Sequence, residues 1–182
     1  MRTFQKKLRT TGALGACALG LGLPAPPPVC ADFAGVYVQG QGAMVTRESE
    51  TNADLGWRAG AHLLFLEAYA NQLFGGPAGT ITQGVIGPRF DLDLGGWNLT
   101  LRAGGGLMRQ GGGDAAVQGT GLVARAGATL ERELGRLFLA GASLETEAYS
   151  LSEGTEYSTS GAHFEGSAVL LSLHLKFELG LR

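Results

Sequence analysis

The side chains in this sequence that could do chemistry stand at alternate positions. Arg89-x-Asp91-x-Asp93, Glu145-x-Glu147 and His174-x-Lys176-x-Glu178 are each interrupted by single residues, mostly apolar. Arg58, Glu67, Arg102 and Arg125 each stand between two apolar neighbours, and Glu131 follows Leu130. Such groups could serve acid–base or nucleophilic catalysis, hold a metal, or neutralise one another. Catalysis needs a nucleophile, a base and an orienting acid within reach of one another. His163, with Ser160 and Glu165 nearby, is the one such cluster, and a histidine where a polar loop ends reads as inert. A metal site is not expected either. His62, His163 and His174 fall on separate segments, Asp91 and Asp93 supply two carboxylates on one face, and the run Ser152 to Glu156 is too poor in oxygen ligands for calcium. No cofactor is implied. Apart from His174, the thirteen alternating residues comprise five cations and seven anions. Mutual pairing is therefore the expected chemistry, and unpaired members would be costly if buried.

Something must place those charges on one face, and the spacing says what. From Leu171 to Arg182 every odd position is Leu or Phe and every even one is Ser, His, Lys, Glu, Gly or Arg. A period of two sustained that long is a strand with one greasy and one polar face. The same alternation recurs through 89–94, 98–103, 122–131, 138–147 and 55–62. Eight strands are predicted, at about 34–45, 54–61, 65–74, 82–94, 98–108, 119–132, 137–149 and 163–181. Long polar loops are expected at 46–53, 75–80, 109–118 and 150–160. Short turns are expected near 62–64, 95–97 and 133–136.

The chain has 182 residues, 31 of them glycine, and its two cysteines, Cys17 and Cys30, stand near the start. That length suits one domain. Charged residues make up 16% of the chain, against the roughly 25% usual for a soluble protein. Arg2, Lys6, Lys7 and Arg9, then the apolar stretch Gly12 to Leu23, then Val29-Cys30-Ala31 read as a secretory signal over residues 1–31, with cleavage after Ala31. The apolar run is shorter than the ~20 residues of a spanning helix, and prolines follow it. Leu14-Gly15-Ala16-Cys17 has some likeness to a lipidation site, but cleavage there would leave too short an apolar core. Cys30 lacks a small residue before it. Without the leader, residues 32–182 carry ten basic and sixteen acidic groups, a formal charge of −6, and no cysteine. Nucleic-acid binding, which needs a basic stripe, is excluded, and so are a disulfide scaffold and a thiolate metal site.

Alternation alone also fits a soluble periplasmic β-sandwich, whose apolar face would turn inward. A secretory leader, long and short connections in alternation, and a closing strand that leaves no edge only if it pairs with the first favour the opposite arrangement. The expected fold is thus all-β: an eight-stranded antiparallel up-and-down transmembrane barrel, lipid outside and charge inside. Trp97 and Phe138 are expected at one interfacial rim, and Tyr69, Phe74 and Tyr149 toward the other. Eight strands leave a lumen just wide enough for side chains to fill.

Gly35-Val36-Tyr37-Val38 as an opening strand, and Gly56-Trp57-Arg58 followed after a short turn by Leu66-Glu67-Ala68-Tyr69, resemble the small eight-stranded outer-membrane barrels of the OmpA/OmpX type. The resemblance implies a monomer delivered by the barrel-assembly machinery and surrounded by outer-membrane lipid and lipopolysaccharide. It also implies a structural or surface-interaction role, with loops 46–53 and 150–160 free to meet a surface ligand. Similar barrels include lipid A-modifying enzymes. The deacylases among them carry a histidine followed two positions later by serine, whereas here Leu64, Glu165 and Lys176 follow His62, His163 and His174. A small-solute pore is the other alternative.

Overall fold

The protein was analysed as a computed structural model that describes residues 33–47, 50–75, 79–111, 118–152 and 163–181. The proposed leader with its two cysteines lies outside these residues, as do Ser160 and most of the loop expected at 150–160.

Eight strands follow one another: β1 Ala34–Arg47, β2 Glu50–Leu63, β3 Leu66–Phe74, β4 Thr80–Asp93, β5 Trp97–Gly111, β6 Gly119–Glu133, β7 Phe138–Ser152 and β8 His163–Leu181. Each pairs antiparallel with the next, and β8 returns to β1 to close the barrel. The closing seam uses the whole of β1, from Ala34 against Leu181 to Arg47 against Ala168. No strand edge is left to template aggregation. The connections 64–65, 94–96 and 134–137 lie at the end where β1 begins and β8 stops; that end is called the turn end, and the opposite one the loop end.

The direction of the two faces is decided by exposure. Leu55 is 72% and Leu173 70% exposed, while Arg58 is 0% and Lys176 2% exposed. Charge is inside and hydrocarbon outside, the reverse of a soluble sandwich, and the pattern holds on every strand. Large outward side chains include Val38, Leu101, Leu130, Leu144 and Leu171, with Trp97, Phe138 and Phe90 toward the turn end and Phe74 toward the loop end.

Several expectations need correction. The loop expected at 46–53 is mostly strand: β1 runs to Arg47 and β2 starts at Glu50. Its polarity is that of a hairpin in water. Thr46 pairs with Thr51, their hydroxyls 2.9 Å apart, and backbone ladder bonds need no apolar face. Tyr69 does not join the outer rim. It shares its parity with Glu67, is buried, and lies with its ring centroid 4.7 Å from the Arg58 guanidinium. Gly60 makes the room, since a Cβ there would come within 2.7 Å of the Tyr69 Cβ and 2.9 Å of the Tyr37 ring. Tyr149 is likewise half-buried, against an apolar layer inside the barrel.

The turns use different chemistry. Gly95 and Gly96 adopt positive φ (73° and 95°), and Asp93 Oδ1 accepts the Gly95 N–H at 2.9 Å. At 64–65 no glycine is present, and Leu64 itself takes φ 55°. Neighbouring chain holds it there: Leu64 N–H donates to the Phe33 carbonyl at 2.7 Å, and Arg89 N–H to the Phe65 carbonyl at 2.8 Å.

Candidate functional site

Inward parity on every strand brings the alternating charges into one continuous network. At its centre Glu145 of β7 takes a two-pronged bond from Arg58 of β2, at 2.9 and 2.7 Å, and a third from Arg125 of β6 at 2.5 Å. Arg102 stands 3.8 Å away. A forked guanidinium on a carboxylate is among the stronger pairings available to a buried charge, and three cations around one anion leave positive charge to be answered nearby. Glu67 answers part of it. Its carboxylate receives the Tyr37 hydroxyl at 2.9 Å and lies 3.4 Å from Arg89 and 3.6 Å from Arg102.

Toward the turn end Glu131 is held between His174 at 2.9 Å and Lys176 at 2.5 Å, and Lys176 also reaches Glu178 at 2.7 Å. Glu178 in turn lies 3.0 Å from His62 and 3.6 Å from Arg89. Arg89 Nε donates to Asp91 at 2.8 Å, and the Thr100 hydroxyl donates to the same carboxylate at 2.5 Å. Beyond these groups the barrel mouth widens into a cavity of about 470 Å³, walled by Arg89, Glu131, Lys176 and Glu178 and continuing to Arg136 and Leu137.

Toward the loop end amides and then apolar side chains join the ion pairs. Gln83 donates to Glu147 at 2.9 Å and accepts from Arg125 at 2.6 Å, while Arg47 closes on Glu147 at 3.3 Å. Gln41 donates to Asn71, and Asn71 to Gln83. Beside and above them Val45, Leu73, Ile81, Met108, Leu151 and Leu170 are all at most 2% exposed and form one cluster inside the barrel.

Of the thirteen sequence-selected residues, twelve enter this network: Arg58, Glu67, Arg89, Asp91, Arg102, Arg125, Glu131, Glu145, Glu147, His174, Lys176 and Glu178. Asp93 does not. It is exposed on the rim of the mouth and caps the Gly95 turn instead, because β4 ends there and the polar face has no opposite wall to pair with. Sequence reasoning omitted His62, Tyr37, Arg47, Asn71 and Gln83 from the site; His62, Asn71 and Gln83 share the parity of charged residues on their strands, and Tyr37 and Arg47 that of Gln39 and Gln41. It also missed the interior apolar cluster, whose members stand on the inward parity of their strands. His163 opens β8 opposite Ser152, but its side chain lies outside the described residues, and Ser160 does too. Among the described residues no group of three or more His, Cys, Asp or Glu is arranged to hold a metal.

No family model matches the chain, and no curated protein matches it. Solved structures do. Neisserial surface protein A superposes with a TM-score of 0.54 at 12% identity, covering 79% of this chain and 96% of that one. The N-terminal β-barrel domain of Pseudomonas aeruginosa OprF superposes with a TM-score of 0.50 at 18% identity, covering 80% and 97%. With its closed eight-stranded antiparallel topology, the chain therefore has the fold of the small outer-membrane barrels of the OmpA/OmpX type.

Proposed function

We propose that the protein is a structural or surface-interaction barrel of the outer membrane whose lumen is plugged by its own side chains. The single observation that carries this reading is the filled interior. Arg58, Lys176, Glu131, Glu145, Leu73, Ile81 and Leu170, spread along the barrel, are each at most 2% exposed. A solute would have to break the multiple ion pairs of Glu145 and displace the apolar cluster, and a broken buried pair alone costs about 3–5 kcal/mol. The outward hydrocarbon belt supports a bilayer location. In barrels of this kind short turns face the periplasm and longer loops the exterior, so the turn end, with the 470 Å³ mouth, is assigned to the periplasmic side.

Two measurements test the proposal. Folded barrel run in mild detergent without boiling should migrate differently from boiled protein; identical migration, with the protein soluble in the absence of detergent, would remove the membrane reading. Planar bilayers containing the folded protein should show no sustained current, and regular conductance steps would replace the plugged lumen with a pore.

A further inference from the structure

We propose that the lumen holds a buried hydration site between Arg102, Thr129 and His174, filled with water from the turn-end mouth and cut off from the loop end by the apolar cluster. This deepens the plugged-lumen reading above and rests on it: the plug is wet to its middle from one side only.

Three side chains carry the inference, each more than nine-tenths buried. Thr129 Oγ1, His174 Nδ1 and both Nε and Nη1 of Arg102 have no hydrogen-bond partner among the described residues. Glu67 stands 3.6 Å from that Nε and Glu145 3.8 Å from that Nη1, beyond bonding reach. Buried polar groups left in this condition are costly. Register brings them to one height. Thr129 pairs directly with Thr100 on one side and Ser143 on the other, and the Ser143 and Ser172 hydroxyls, 2.6 Å apart, continue the row. Arg102, Thr129 and His174 are each one inward position beyond Thr100, Glu131 and Lys176 on their own strands. Those last three wall the turn-end cavity, so the unpartnered atoms lie one step deeper than its floor. The row they join is built of short side chains, and a lumen filled elsewhere by long ones has space to give there.

The same atoms select the ligand. An ionised Glu131 can only accept, so His174 Nε2, 2.9 Å away, carries the proton and Nδ1 is an acceptor. Arg102 only donates, and Thr129 does either. A halide could not answer Nδ1, and a metal cation would be repelled by the guanidinium. Water both donates and accepts, and a few convergent polar partners are what a buried water needs. Toward the loop end the supply of such partners stops, because Leu73, Ile81, Met108 and Leu170 close the interior with hydrocarbon.

The test uses the full barrel folded into nanodiscs, with magnetisation transferred from water to protein by NMR. Cross-peaks are expected at the Thr129 methyl and the Arg102 Nε–H, and none at the methyls of Ile81 and Leu170. Silence at Thr129 and Arg102, or equal transfer to Ile81 and Leu170, would overturn the proposal. Thr129→Val keeps the shape and removes the hydroxyl. Losing a hydroxyl that had no partner would relieve a burial cost and raise the urea midpoint. The proposal expects the opposite: a lower midpoint and a weaker Arg102 cross-peak, so an unchanged or raised midpoint would sink it. Should heat-dependent migration show that the valine variant is unfolded, the wild-type cross-peaks decide alone. Conductance steps in planar bilayers would refute the plugged lumen itself, whereas silent bilayers without water cross-peaks would refute only the hydration site.

Discussion

Glu145 shows how much one inward position can carry. It is 1% exposed and pairs with both Arg58 and Arg125 directly, with Arg102 close by. Removing one partner from a buried pair leaves the other charge without compensation, whereas replacing both by apolar groups of similar volume is often neutral. Glu145→Ala is therefore expected to lower the unfolding free energy by about 3–5 kcal/mol, measured by urea titration of the barrel in detergent. The double variant Arg58→Met, Glu145→Leu should recover part of that loss; a double variant as unstable as the single one would show that Arg125 and Arg102 depend on Glu145 by themselves. Leu170, at 2% exposure within the apolar cluster, makes the complementary case. Leu170→Ala should cost about 2–5 kcal/mol by the cavity it leaves, as large an effect as that of a core leucine in a soluble protein. This position stands on the parity of Ser172, His174 and Lys176 and was legible as inward. Its apolar identity was harder to interpret, because a greasy residue on the polar face of one strand makes sense only when other strands present theirs at the same height.

At the scale of elements, the strands were readable because side-chain period is a local property of extended chain. β8 is found where its alternation placed it, and β6 and β7 agree within a few residues. The ends were less readable. β2 begins at Glu50 because Asn52 and Thr51 bond across to Val45 and Thr46, and a ladder rising into water keeps strand geometry without the apolar face that signals a membrane strand. The turn at 64–65 lacked its usual residues for a different reason: Leu64 at φ 55° donates its N–H to the Phe33 carbonyl while the Phe65 carbonyl accepts from Arg89 N–H, so the turn is held by residues distant in the chain. A left-handed conformation costs a residue with a Cβ roughly 1–2 kcal/mol, and asparagine tolerates it better. Leu64→Asn should therefore hold or raise the midpoint of thermal unfolding in detergent. A clear fall would mean that the leucine side chain contributes an interfacial anchor worth more than the strain.

For the whole molecule, the decisive property is the inversion of its faces, and the lipid belt can be probed by the same logic. Leu173 is 70% exposed in the middle of the outward row of β8, so Leu173→Arg should destabilise the barrel by about 2–4 kcal/mol in a bilayer, against about 0–1 kcal/mol for Thr120→Arg near the loop end. Equal costs, measured by urea unfolding from lipid vesicles, would place the hydrocarbon belt elsewhere. The sequence by itself determined that residues 32–182 make one all-β domain without cysteine, that strands alternate, and which residues share a face; those are consequences of composition and of a two-residue repeat. Only the tertiary structure decided which charges meet: Arg58 and Glu145 are 87 positions apart, and nothing local selects that pairing over any other on the same parity. It also decided that Tyr69 turns inward over Arg58, that Asp93 leaves the network for a turn, and that apolar side chains from several strands meet inside the barrel near the loop end. The reason is physical. Parity fixes direction toward or away from the axis, whereas height along the axis and angle around it arise from the register of all eight strands, and that register exists only once β8 has paired with β1.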